Sequence, residues 1–256
     1  MNPRVAACQF EPEPGDVDAN VETVRELGGA LPDDVSLAVF PELCLTGYDL
    51  DAVPDVAEPV PGASTDRAVE LADELDVTLV LGLPERDGDA VYNATVLVSP
   101  DGVEAIYRKQ YPWGEEEHVF EPGDSNATAE TPVGTAGLLC CYDLNFPEVA
   151  LEYARIDCDV LAIPAAWRTS YLDDWRLLLR ARARDGPVYV IGSNHVGDQQ
   201  GRDHAGHSLI AGPDGTIRAE AGDGRGVATA PLSRDVLERE RERNPVRETR
   251  ERLGSW

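Results

Sequence analysis

The sequence predicts a single α/β domain, a four-layer α-β-β-α sandwich of two packed mixed sheets with the helices outside. Three observations carry that expectation. Short apolar runs of strand length alternate with stretches of helical period along the chain. Each half has its own hairpin around a Pro-Asp-Gly turn, YNATVLVSPDGVEAIYRK at 92–109 and HAGHSLIAGPDGTIRAEA at 204–221. No linker separates the halves, and 256 residues suffice for one sizeable core.

Taken in order, residues 5–10 form a first strand, and Val21, Val24, Leu27 and Leu31 give 18–31 a helical period. A short buried strand at 36–40 stops at Pro41, leaving Glu42 just past a strand end, where catalytic groups of α/β folds tend to lie. In so acidic a chain, Glu42 taken alone equally reads as a solvated loop carboxylate. A helix at 63–75 and a strand at 77–83 precede the first hairpin, 92–98 and 103–108, which ends at Lys109. The loop at 110–123 mixes carboxylates with Tyr111 and Trp113, aromatics that are costly to expose and therefore point to a cleft. A strand at 137–141 breaks into polar residues, and a helix at 147–156 follows with Asn145 near its cap and Pro147 in its first turn. Strand 160–164, helix 172–184, strand 188–194 and the second hairpin (206–211 with 217–221) complete the body. The tail, 233–256, alternates Arg and Glu and reads as a solvated helix, with Trp256 a docking residue for this or another subunit.

Composition narrows the function. The chain has 48 acidic and 22 basic residues, a net charge of −26, which repels nucleic acid and anionic membrane alike. Nowhere do 18 apolar residues run together, and the N-terminus has no long apolar stretch, so a cytoplasmic protein is expected. The acidic surface and scarcity of lysine suggest adaptation to a high-salt interior, an expectation that loss of structure on dialysis into low salt would test. Five cysteines without C-x-x-C spacing argue against a disulfide framework and against a zinc site.

Two features then draw the eye. Cys140 and Cys141 stand at the tip of a buried strand before a helix, where a thiol is rigidly held and backbone N–H groups point outward to meet negative charge. Taken alone, the pair could equally fill a core. Lys109 is the one lysine of the chain, kept where arginine would have preserved the charge, and a compact ammonium can aim three donors in ways a guanidinium cannot.

FPELCLTGY, YRKQYPWGEEEHVFEPG and GLLCCYDLNFPE, in that order, resemble the three signature blocks of the nitrilase superfamily of carbon–nitrogen hydrolases. RARARDGPVYVIGSNHVG and GHSLIAGPDGTIRAEAG resemble its C-terminal half, so the likeness runs essentially end to end. The resemblance implies a nucleophile at Cys141, a general base at Glu42, a lysine at Lys109 and a second glutamate at Glu116, seven residues after that lysine. Cys140 falls where the family has an aliphatic core residue and is expected to be inert; Tyr111 departs from a histidine found in many members. Glu42, with a raised pKa, would take the thiol proton, while Lys109 and the backbone N–H of Tyr142 hold the oxyanion and Glu116 orients substrate or Lys109.

Tyr48, Trp113, Asn145, Trp167 and Arg168 lie close enough to the blocks to line a pocket, with Arg168 placed to pair a substrate carboxylate. The expected substrate is a small amide, an ω-amide or N-carbamoyl compound, with a nitrile as the alternative. The resemblance implies neither metal nor organic cofactor, and subunits paired into homodimers or larger assemblies through which the tail could dock. A papain-like cysteine–histidine pair finds no support around His118, His195, His204 or His207, and a catalytically silent binding homologue is disfavoured by four intact positions.

Overall fold

The structure, a computed structural model, describes residues 2–254. The first half runs β1 (Arg4–Gln9), α1 (Val17–Gly29), β2 (Val35–Val39), a one-turn α2 (Val53–Val56), α3 (Ala63–Leu75), β3 (Thr78–Asp87), β4 (Ala90–Ser99) and β5 (Gly102–Arg108). The second runs β6 (Thr128–Thr131), β7 (Gly134–Leu138), α4 (Pro147–Arg155), β8 (Val160–Ala165), α5 (Leu172–Asp185) and β9 (Tyr189–Asn194). It continues with β10 (Val196–Gln199), β11 (Arg202–Ala205), β12 (Leu209–Ala211), β13 (Ile217–Glu220), β14 (Gly226–Pro231), α6 (Arg234–Arg243) and α7 (Val246–Leu253).

Two six-stranded mixed sheets result, ordered β14-β1-β2-β3-β4-β5 and β13-β12-β9-β8-β7-β6. The central trios β1-β2-β3 and β7-β8-β9 are parallel, and the flanking strands pair antiparallel. Residue alternation decides how the layers stack. On β1, Val5 and Ala7 enter a core shared with Leu138, Leu161 and Ile191 of the other sheet, while Ala6 and Cys8 enter one shared with Val24 of α1 and Leu71 of α3. On the far side of the second sheet, Val149 and Tyr153 of α4 and Trp175 and Leu179 of α5 close the fourth layer. The predicted α-β-β-α sandwich is therefore the observed architecture.

Several elements differ from the expectation. β3 continues through Pro84 to Asp87 because β4 pairs with it from Leu79↔Val98 to Asp87↔Ala90, overriding the proline. The cysteine strand stops early: β7 ends at Leu138, and the chain turns into a 3-10 segment at Cys141–Asn145. β6, β10, β11 and β14 were not expected; Thr128–Thr131 has no bulky apolar residue and Gly226–Pro231 has only Val227 to mark a strand. The tail is not one solvated helix. Pro245 separates α6 from α7, Leu237 is buried, and Arg241 and Arg247 both donate to the Cys158 carbonyl, at 2.7 and 2.8 Å. Trp256 lies outside the described residues.

Candidate active site

The site assembles where β2, β4, β5, β7 and β8 place their ends or faces together. After β2 the chain turns sharply at Pro41-Glu42-Leu43, with Leu43 in the left-handed region at φ 48°. That turn sits so close to β3 that a Cβ on Gly82 would come within 2.2 Å of the Leu43 nitrogen, so position 82 admits no side chain. Glu42 is thereby fully buried. Its Oε1 accepts from Lys109 Nζ and Asn93 Nδ2, each at 2.7 Å, and Cys140 Sγ lies 3.3 Å away. Its Oε2 accepts from the Ala166 N–H at 2.9 Å, and the Cys141 thiol lies near enough to this carboxylate to help lower it.

Lys109 leaves β5 with its backbone N–H on the Asn93 carbonyl, 2.9 Å, so Asn93 holds both the lysine and its carboxylate partner. The ammonium lies 2.7 Å from Glu116 Oε2 and 3.0 Å from Oε1. Glu116 is buried in the 3-10 turn Gly114–His118, whereas Glu115 is exposed on Arg202 and Glu117 faces outward. The Trp113 N–H donates to Glu116 Oε2 at 2.7 Å and the Tyr48 hydroxyl donates to Oε1. With both oxygens occupied, Glu116 orients Lys109 rather than substrate.

Cys141 opens the Cys141–Asn145 turn at φ 46°, a strained conformation for a residue with a side chain. The N–H of Tyr142 is in that first turn, among the donors that a helical start leaves without an intrahelical acceptor. Asp143 ties this turn to the lysine hairpin. It accepts from Tyr107 Oη (2.7 Å), the Tyr111 N–H (3.0 Å) and the Cys140 N–H (3.1 Å).

Protonation follows from burial set against these contacts. Burial pushes Glu42 up, but the Lys109 charge and the hydrogen bonds outweigh it and hold the carboxylate below its usual range. The raised pKa expected for the base is thus corrected, because a cation is seated on it. Burial works against the Lys109 ammonium, and Glu116 and Glu42 more than offset it. Burial and the Glu42 charge push the Cys141 thiol well up. The resting pair is therefore thiol and carboxylate.

Burial lifts Asp143 to about 7 despite its three donors. Between 3.8, its unfolded value, and about 7 the folded protein holds a proton that the unfolded chain has released, so this group makes stability fall as pH rises. Asp143→Asn removes that slope. The stability of the variant relative to wild type is expected to improve by roughly 2–4 kcal/mol between pH 4 and pH 8. Urea unfolding of both proteins across that range checks it, and a constant difference would refute it.

Beside Cys141 opens a cavity of about 260 Å³. Trp113, Asn145, Trp167 and Arg168, four of the five expected pocket residues, line it together with Tyr142. Tyr48 does not. It is buried behind the site with its hydroxyl on Glu116, because the turn at Gly47 carries it inward, and the pocket role expected for it is corrected to supporting Glu116. Tyr171 and Asp174 complete the wall and were not foreseen. The Arg168 guanidinium rests 4.6 Å over the Trp113 ring and forms no ion pair among the described residues.

Sequence reading also missed Asn93, Ala166 and His195. His195 is fully buried and its Nε2–H donates to the Glu42 carbonyl at 2.5 Å, which fixes the tautomer and the turn rather than touching a thiol. Burial lowers both His195 and its neighbour His204, the latter to about 3. No helix is long and apolar enough to cross a membrane among the described residues.

The sequence profile of the carbon–nitrogen hydrolases matches residues 4–242. Omega-amidase NIT2 of Xenopus tropicalis is 31% identical over 260 residues, covering 96% of this chain and 94% of that protein. Omega-amidase NIT2 of Homo sapiens is 34% identical over 220 residues, covering 81% and 80%. Among solved structures, Nit3 of Saccharomyces cerevisiae superposes with a TM-score of 0.87 at 29% identity, over 96% of this chain and 95% of that one. A Glu-to-Gln mutant of the amidase from Nesterenkonia sp. AN1, with acrylamide joined by Michael addition to its active-site cysteine, gives 0.84 at 26% identity, over 94% and 97%.

Proposed function

Given that the chain belongs to the carbon–nitrogen hydrolase family, we propose that it hydrolyses a small carboxylate-bearing amide, an ω-amide or N-carbamoyl compound, through a thioester on Cys141. One observation carries the reading: a buried Glu42–Lys109–Glu116 row meets the Cys141 thiol at the wall of a cavity that also holds an unpaired guanidinium.

The substrate carbonyl carbon sits against the Cys141 sulfur. With the carboxylate low and the thiol high, the proton does not rest on Glu42 beforehand, so transfer accompanies C–S bond formation. Charge gathers on the carbonyl oxygen, which receives the Tyr142 N–H and one Lys109 N–H, the lysine meeting both Glu116 oxygens with a single bifurcated donor during this step; a single donor of this kind is worth about 10²–10³ in rate. Glu42 then gives its proton to the departing nitrogen as the C–N bond breaks, leaving the thioester and ammonia, or the free amine of an N-carbamoyl compound. Water enters, Glu42 takes one of its protons, and collapse of the second tetrahedral species breaks the C–S bond and returns a proton to sulfur. The products are a carboxylic acid and the free enzyme.

Arg168 supports the carboxylate preference, since its guanidinium lines the cavity beside Cys141 with an aromatic ring beneath it and no ion pair to a protein carboxylate among the described residues. The net charge of −26 also supports the reading that the enzyme works in a salt-rich cytoplasm. Ammonia release in high salt from paired amides, one carrying a carboxylate and one neutral, beside N-carbamoyl amino acids and nitriles, tests the substrate class. Carboxylated amides should lead. Arg168→Ala should cost them about 10–100-fold in kcat/KM, chiefly through KM, while neutral amides change less than about 3-fold. Equal losses on both, or a lead for nitriles, would refute the assignment.

A further inference from the structure

The thiol beside the nucleophile, expected to be inert core filler, is buried against the Glu42 carboxylate. In an extended chain consecutive side chains point to opposite faces, which would turn Cys140 away when Cys141 faces the site. The positive φ of Cys141 breaks that alternation, and both thiols meet Glu42. Cys140 is fully buried, its Sγ lies 3.3 Å from Glu42 Oε1, and the carbonyl oxygen of the Asn93 side chain is 3.9 Å away. Burial and the neighbouring Glu42 charge keep it protonated, so it has a hydrogen to give. An aliphatic side chain would fill the same space and satisfy the packing, but it would leave Oε1 with two donors instead of three.

We propose that Cys140 is a positioning residue of this site: its S–H donates to Glu42 Oε1 and, with Lys109 and Asn93, fixes the carboxylate in the orientation that accepts the Cys141 proton. The proposal rests on the reading of Glu42 as the general base.

Its signature is in the pH dependence. A donor on the anion stabilises the anion, so losing the thiol raises Glu42 and moves the acid limb of kcat/KM to higher pH. The other titratable groups facing Glu42 are Lys109 at the end of β5, Glu116 in the following turn, Cys141 after β7, Tyr48 after the Glu42 turn, and the neutral His195 and His204 of β9–β11. Asp143 faces Cys140 from its other side. All of these side chains stay in place when position 140 is substituted.

Enzyme held near neutrality is mixed by stopped flow with a hydrolysed amide at each test pH, and kcat and KM are read for wild type, Cys140→Val, Cys140→Ala and Cys140→Ser. The acid limb should rise by roughly half to one pH unit in the Val and Ala variants, with KM within about 2-fold of wild type. The hydroxyl of Cys140→Ser should restore the wild-type limb. Unshifted limbs in both Val and Ala, or a Ser variant that tracks Val, would overturn the proposal. Circular dichroism confirms folding, and having two apolar variants guards against one misfolding. Glu42→Gln is run in parallel. If it keeps wild-type activity, the base assignment itself fails; if it is inactive while the Cys140 limbs stay put, only the role of Cys140 fails.

Discussion

Cys141→Ala is expected to lower kcat by at least about 10⁴-fold, because no other group in the cavity can form the acyl bond that divides the reaction into two accessible steps. The vicinal thiol cannot substitute. Cys140 has no exposed surface and is absent from the cavity wall, whereas Cys141 keeps 9% exposure and lies on it. Affinity for the substrate, measured by titration calorimetry, should stay within a few-fold, since Trp113, Trp167 and Arg168 are untouched. Treating wild type with an electrophilic amide such as chloroacetamide should add one adduct, mapped by peptide fragmentation to Cys141. Turnover in Cys141→Ala above about 1% of wild type, or an adduct on Cys140, would sink the thioester scheme.

Glu42, Lys109 and Cys141 were singled out through the resemblance of three sequence blocks to the carbon–nitrogen hydrolases; the apolar pattern added only that each follows a strand, and strand ends are where an α/β sandwich collects its polar chemistry. Glu116 was harder. Nothing in a run of three glutamates distinguishes the middle one, yet a 3-10 turn directs successive side chains about 120° apart, so only one of the three can face Lys109. Asn93 and the Ala166 N–H could not be found from the sequence, since they become neighbours of Glu42 only through the pairing of β3 with β4 and the packing of one sheet on the other. That Cys140 lies against Glu42 has a local reason, one left-handed residue that cancels the usual alternation. The sandwich was similarly legible from its buried strands and not from its edges. β6 and β14 are small-residue strands whose pairing is set by backbone hydrogen bonds to β7 and β1 rather than by a side-chain pattern.

Lys109→Met is expected to damage rate and stability together, and the pH dependence of the stability loss identifies the cause. In wild type one buried ammonium faces two buried carboxylates, and removing it leaves Glu42 and Glu116 uncompensated, a change that typically costs about 3–5 kcal/mol. Lowered Glu42 contributes stability in wild type that is present above its unfolded value and lost as pH falls through its folded one. Without the cation, the burial of Glu42 is opposed only by its remaining hydrogen bonds, so in the variant its folded carboxyl holds a proton that the unfolded chain gives up. The stability of the variant then falls as pH rises, and the gap to wild type should narrow on acidification. Urea unfolding at several pH values reads that gap directly. Activity should drop by about 10²–10³-fold at any pH, because the oxyanion loses a donor that protonating Glu42 cannot replace. Lys109→Arg separates charge from shape: it keeps a cation, yet a planar guanidinium does not fit three converging oxygens, so it should recover part of the stability and little of the rate. A Lys109→Arg enzyme with wild-type kcat would show that charge alone is what the site requires.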